Sequence, residues 1–173
     1  MITLQKELTG KILDIGGGGE AVIGRLYGHQ VIAIDNRQEE LGEAPDVCQK
    51  RLMDATALTF PDGTFDHVTA FYTLMYMTTE EQKQTIREAV RVLKLGGSLH
   101  IWDCDIVSAC PEPFCVDLEI RLPEERIRTT YGIGKLDAQS MASIREMCVE
   151  AGLSCEVEYI ADEGFFLLCK KGV

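Results

Sequence analysis

A chain of 173 residues, 46% hydrophobic and 26% charged, has the size and make-up of one globular domain that buries a core without staples. Its net charge of -11 is spread along the chain, repels phosphate backbones and argues against nucleic acid as a partner. No apolar stretch approaches the ~18 residues that span a bilayer. Met1 to Lys6 carries no secretory leader, and seven cysteines, an odd number, point to a reducing cytoplasm.

The first ten residues offer one short amphipathic stretch. Ile12 to Ile15 reads as a strand buried on both faces apart from Asp14, and it ends in four glycines, Gly16 to Gly19. Glu20 to Tyr27 reads as a helix stopped by Gly28, and Gln30 to Ile34 as a second strand that closes on Asp35. This strand, glycine turn, helix, strand and acid is the layout of a nucleoside-binding crossover. Glycines permit positive φ and close backbone approach, a helix start presents N–H groups, and a strand-tip acid can accept both ribose hydroxyls.

Arg37 to Glu43 forms at most two helical turns before Pro45. A weak third strand around Gln49 to Met53 leads to Asp54, and a loop with a Pro61-Asp62-Gly63 turn precedes a fourth strand, Phe65 to Phe71. Thr78 and Glu81 form a capping box for a helix with an apolar stripe of Ile86, Ala89, Val90 and Leu93. Gly96-Gly97 is expected to end that helix, and Ser98 to Trp102 is the fifth strand. Residues 104–136 break the pattern. Val116 to Leu122 alternates strictly and Arg126 to Tyr131 more weakly, which predicts a β-hairpin inserted after the fifth strand. Asp137 is expected to cap a last helix ending at Gly152, and two strands, Leu153 to Ile160 and Phe165 to Lys170, follow with a connection short enough to force them antiparallel.

The expected fold is therefore α/β, one domain over residues 1–173. It is a doubly wound, mostly parallel seven-stranded sheet with an antiparallel C-terminal hairpin and the inserted hairpin region 104–136. The inserted hairpin is a candidate roof over the site or a homodimer contact through 116–131, because its apolar face (Val116, Leu118, Ile120, Leu122) must be buried against something.

Asp14-Ile-Gly16-Gly-Gly18-Gly-Glu20 resembles the D-x-G-x-G-x-G signature of the Rossmann-like (class I) S-adenosylmethionine-dependent methyltransferases. Asp35, then Met53-Asp54-Ala55 with Leu58-Thr-Phe-Pro61 and Phe65-Asp-His-Val68, then Arg91-Val-Leu-Lys-Leu-Gly96-Gly97, are similar to that family's later segments in order and spacing. The resemblance covers roughly residues 10 to 103. It implies S-adenosylmethionine as cofactor and methyl transfer to nitrogen, oxygen or sulfur of a small-molecule or protein acceptor. It also implies residue roles. Gly16, Gly17 and Gly18 would carry the methionine portion and Asp14 would help hold the loop and the amino group. Asp35, with Asn36 beside it, would accept the ribose hydroxyls, Asp54 and Ala55 would contact adenine, and Phe71 would line the sulfonium end.

Catalytic candidates at the expected pocket mouth are Tyr76 and Asp103, with Tyr72, Trp102, Asp105 and Tyr131 near them. Tyr76 stands where many relatives carry His or Glu, and a base is required only if the acceptor begins protonated. Glu20 departs from the signature's glycine and would sit badly beside the cofactor's carboxylate unless it turns away or meets the ammonium. His67 and His100 read as structural or exposed strand residues. Cys104, Cys110 and Cys115 lie within twelve residues but lack metal-site spacing, and no metal is expected. Cys48, Cys148, Cys155 and Cys169 read as small core or near-surface residues.

Two other readings fit the same residues. Gly16-x-Gly18-x-x-Ala21 with Asp35 also satisfies the dinucleotide fingerprint of a nicotinamide oxidoreductase, although Asp14 and the missing Tyr-x-x-x-Lys pair oppose it. A non-catalytic cofactor-binding relative is the third reading.

Overall fold

The computed structural model describes residues 1–107, 113–134, 137–161 and 164–173. A seven-stranded sheet runs in the order β4-β3-β2-β5-β6-β10-β9, built from β2 (Ile12–Ile15), β3 (Val31–Asp35), β4 (Gln49–Leu52), β5 (Phe65–Phe71), β6 (Leu93–Asp103), β9 (Leu153–Ala161) and β10 (Gly164–Lys171). The first five of these pair in parallel, and β10 runs antiparallel to both β6 and β9. All four residues of β2 are buried, as the centre of a doubly covered sheet requires.

One face of the sheet carries α3 (Thr79–Val92) and α4 (Met141–Glu150), which enclose Leu13, Ile15, Phe65, Leu99 and Leu167 in the larger apolar core. The other face carries α1 (Val22–Tyr27) and a small second sheet. That sheet is β1 (Ile2–Thr3), β7 (Phe114–Arg121) and β8 (Arg126–Ile133), with β1 parallel to β7 and β8 at the edge. The first residues thus form a strand, not a free amphipathic stretch. The short α2 (Gln38–Glu43) lies beside β3 and β4.

The inserted hairpin forms as expected, and its apolar face is already covered. Leu118, Ile120 and Leu122 are buried in a core shared with Ile2, Leu4 and Leu26. The expected homodimer contact through 116–131 therefore loses its apolar argument: intrachain packing has taken up that face.

Three helix ends differ from expectation. Gly96-Gly97 does not end α3. Val92 does, because Leu93 turns extended and pairs with Phe65, and Gly96 (φ 74°) falls inside β6. Asp137 does not cap α4; the cap is Ser140, whose hydroxyl accepts the Ser143 N–H at 3.2 Å in a capping box with Ser143. The first helix begins at Val22, after Ala21 adopts a left-handed φ of 49°. The Thr78–Glu81 capping box and the Gly28 stop form as read.

Cys155 and Cys169, expected as separate thiols, face each other across β9 and β10 and form a disulfide. Cys104 is buried beside Met75 whereas Cys115 is exposed on β7, so those two thiols have separate surroundings; Cys110 lies outside the described residues. No described helix is long and apolar enough to cross a membrane.

Candidate functional site

The glycine turn is pinned before any ligand is considered. The Gly16 and Gly17 N–H groups donate to the Ile34 carbonyl at 2.8 and 3.0 Å, and the Gly19 N–H donates to the Glu40 carbonyl at 2.9 Å. These bonds fasten the turn to β3 and α2. What the glycines provide is room. Gly16 sits at φ 70°, and a Cβ there would strike the Thr73 hydroxyl. A Cβ on Gly18 would lie 2.6 Å from the Glu40 Cβ and 2.9 Å from an Asp35 carboxylate oxygen.

Above this turn, at the carboxyl ends of the parallel strands, a cavity of about 580 Å³ opens. Gly16 and Gly18 form its floor, Asp35 and Asn36 close β3 on one side, and Asp54 and Ala55 follow β4. Phe71 at the end of β5 and Tyr76 on the next turn line it too, so eight of the expected site residues converge. The Asp35 carboxylate accepts the Arg37 N–H at 2.9 Å, and the Asp54 carboxylate accepts the Thr56 N–H at 2.8 Å and its hydroxyl at 2.7 Å. Each acid is thereby oriented by its own turn.

Three expected residues lie outside this lining. Asp14 is buried beneath the turn, where it accepts the Thr69 hydroxyl at 2.7 Å, and it is not part of the cavity lining. Burial raises its carboxyl to about 7, against the Thr69 bond that lowers it and with Asp35 adding to the rise. Gly17 serves Asp14, since a Cβ there would sit 2.5 Å from the Asp14 carboxylate. Asp103 is also fully buried, and accepts from Gln139 Nε2 at 2.7 Å, the Cys104 N–H at 2.8 Å and the Met75 N–H at 3.2 Å. It is an anchor for the turn bearing Tyr76, not a base at the mouth.

Among the other mouth candidates, Trp102 packs against Phe166 in a tilted pair with ring centroids 4.7 Å apart, and Asp105 accepts the Met141 N–H at the start of α4. Neither lines the cavity. Tyr72 and Tyr131 do, with ring centroids 6.0 Å apart, and Tyr72 holds a left-handed φ of 51°. The Tyr76 hydroxyl is pushed up to about 12, first by burial and then by Glu40, so it is a donor at neutral pH. His67 and His100 flank Ser98 in a hydrogen-bonded chain, and burial lowers His100 to about 4.

Sequence reasoning missed Arg37 and Glu40, an ion pair at 3.0 Å on the cavity wall. It also missed what Arg91 does. This guanidinium donates to the Leu58 and Phe60 carbonyls, each at 2.8 Å, and to Glu88, whose carboxylate in turn accepts the Leu58 N–H. Arg91 thus clamps the loop that follows Asp54.

Two strand-tip acids, a floor that admits no Cβ and a cavity of nucleoside size fit an adenosine-bearing ligand. Residues 13–101, half of the chain, match the methyltransferase domain family, and the chain belongs to it. This is the Rossmann-like class whose cofactor is S-adenosylmethionine. The chain is 31% identical over 158 residues to a 27-O-demethylrifamycin SV methyltransferase of Amycolatopsis mediterranei, covering 84% of this chain and 54% of that relative. It is 33% identical over 103 residues to a phosphatidylethanolamine N-methyltransferase of Cereibacter sphaeroides, covering 53% and 49% respectively. A solved structure of a SAM-dependent methyltransferase from Methanosarcina mazei superposes with a TM-score of 0.66 at 18% identity, over 96% of this chain and 95% of that one. The chain spans about half the length of the curated relatives it matches.

Proposed function

We propose that the protein transfers a methyl group from S-adenosylmethionine to a nitrogen, oxygen or sulfur of a small-molecule or protein acceptor. The observation that carries this reading is the convergence of the Gly16–Gly18 floor, Asp35 and Asp54 on one cavity. Asp35 would accept the ribose hydroxyls with Asn36 beside it. Asp54 would accept from the adenine amine and Ala55 would contact the ring. Gly16 and Gly18 would admit the methionine portion, with Asp14 and Gly17 supporting the turn from behind, and Phe71 would face the sulfonium.

When bound, the cofactor supplies a methyl group on a good neutral leaving group. The residues therefore have to align and desolvate, and need little covalent chemistry. Tyr72, Tyr76 and Tyr131 line the cavity, and Tyr76, protonated at neutral pH, would orient the acceptor by donating a hydrogen bond. The acidic wall of Glu20, Glu40 and Glu43 disfavours a polyphosphate or nucleic-acid acceptor.

Calorimetric titration with S-adenosylhomocysteine, with NAD in parallel, tests the cofactor reading. Saturable binding of the first alone supports it, and binding of NAD alone would hand the fold to a dinucleotide enzyme. Labelled S-adenosylmethionine offered with pools of amines, phenols, thiols and basic proteins then tests transfer. Cofactor binding with no label in any pool would favour a non-catalytic role.

A further inference from the structure

Glu20 sits where the signature has glycine, at the junction of the glycine turn and α1. Its carboxylate turns away from the floor and crosses to the inserted hairpin. One oxygen accepts the Thr129 hydroxyl and the other accepts the Tyr131 hydroxyl at 3.0 Å, partners more than a hundred residues away in sequence. Thr129 and Tyr131 are two apart on β8 and so share a face of that strand. A second tie runs in parallel. Arg25 on α1 donates through Nε to the Glu20 carbonyl at 2.7 Å and pairs with Glu125, at the hairpin turn, at 3.0 Å.

These contacts address the edge strand of the hairpin. β7 is held by β1 and by Leu118 and Ile120 in the core, whereas β8 is the edge strand of its sheet. Thr130, Tyr131 and Gly132 of that edge line the cavity. Hydroxyl-to-carboxylate bonds are among the stronger hydrogen bonds, and burial together with Glu20 raises the Tyr131 phenol far above neutrality, so it stays a donor.

We propose that Glu20 is a positioning residue that couples the glycine turn to the β8 edge, so that filling the turn with cofactor fixes Tyr131 and its neighbours as the acceptor-side wall. The proposal rests on reading the cavity as the cofactor site. A ligand seated on the turn is felt at β8 through Glu20, and by linkage a displaced β8 loosens the ligand.

Hydrogen exchange of the full chain, read at peptides covering residues 127–133 with and without S-adenosylhomocysteine, tests this. In the wild type, ligand is expected to slow exchange there several-fold. Glu20→Ala, which leaves the Arg25–Glu125 pair in place, is expected to remove most of that ligand-dependent slowing and weaken S-adenosylhomocysteine about tenfold or less, while β10 peptides keep their native protection and so report a folded protein. Glu20→Gln retains an acceptor oxygen and should restore part of the effect, and Tyr131→Phe, which leaves the turn untouched, should diminish it. Ligand-induced slowing at 127–133 that survives intact in Glu20→Ala, or its absence in wild type that binds the ligand, would overturn the coupling. Wild type that binds no S-adenosylhomocysteine would instead bring down the cofactor reading beneath it.

Discussion

The Asp103 carboxylate accepts the Met75 N–H at 3.2 Å and thereby joins the end of β6 to the turn that carries Tyr76 into the cavity. The same carboxylate takes the Gln139 amide, and Gln139 in turn accepts from Gln82 at 2.5 Å, so α3, α4 and the cavity rim meet in one buried polar network. Removing one member strands the others. Asp103→Ala is expected to cost on the order of 3 kcal/mol, because the Gln139 amide and the Met75 N–H lose a buried partner. Denaturant midpoints check this, and S-adenosylhomocysteine affinity should change far less than stability.

Asp35 offers the opposite balance. It is half-exposed at the tip of β3, and its side chain contributes little to the core. Asp35→Ala should leave the melting temperature within a few degrees. It should weaken S-adenosylhomocysteine by about 10- to 100-fold, the loss of a charge-assisted hydrogen-bond pair. Calorimetry on the variant decides it, and unchanged affinity would remove Asp35 from the site.

Asp14 makes stability depend on pH in a direction unusual for a carboxylate. Burial raises it to about 7 in the folded chain against an ordinary value of 3.8. The folded state therefore binds the proton more tightly, the favourable contribution is complete below about pH 4, and it is lost as pH rises through about 7. Asp14→Asn can still accept the Thr69 hydroxyl and carries no charge. Relative to wild type it should gain stability between pH 4 and 8, by a few kcal/mol at most. Parallel thermal melts across that range would show the two curves converging in acid, and a constant offset would sink the claim.

The hairpin is part of the fold's core, which Ile120 reports. It is fully buried among Ile2, Leu4 and Leu26. Ile120→Ala should cost about 2–5 kcal/mol by cavity formation. Sedimentation should show the oligomeric state of the wild type unchanged in the variant, since this face is filled from within the chain.

The capping box of α3 gives a smaller and cleaner figure. Thr78 accepts the Glu81 N–H and Glu81 reaches back to the Thr78 N–H at 2.7 Å. Thr78→Ala should lower stability by about 1 kcal/mol, measured by urea unfolding, with no change in ligand affinity.

Local patterns were legible wherever one segment specifies its own partners. The strand Phe65 to Phe71, the Thr78–Glu81 box and the strict alternation of Val116 to Leu122 all fold as the sequence reads. The misses share a cause. Ser140 displaces Asp137 as cap because Gln139 is held extended by Ile106, 33 residues away, a tie no local window contains. Leu93 ends α3 because Phe65 claims it as a strand partner. In the site, motif positions found the floor and both strand-tip acids, since those follow from chain order. Asp14 took its role from the resemblance and Asp103 from its position at a strand end, and neither signal says that the side chain is buried in the layer beneath the cavity. Tyr131 and Thr129 reach the glycine turn only through the second sheet, whose pairing of Ile2 with Ile120 leaves no trace in periodicity.

The strand order has a consequence for synthesis on the ribosome. β9 joins the main sheet only through β10, although β10 follows it in the chain, and Leu167 and Cys169 of β10 are fully buried. A nascent chain that ends at Glu158 can assemble β2 to β6 but has nowhere to seat β9, and α4 lacks the floor on which Ile144 and Cys148 rest. Ribosomes stalled before residue 164 should therefore carry an open, aggregation-prone sheet edge along β6, and chaperone contact should fall off as β10 emerges.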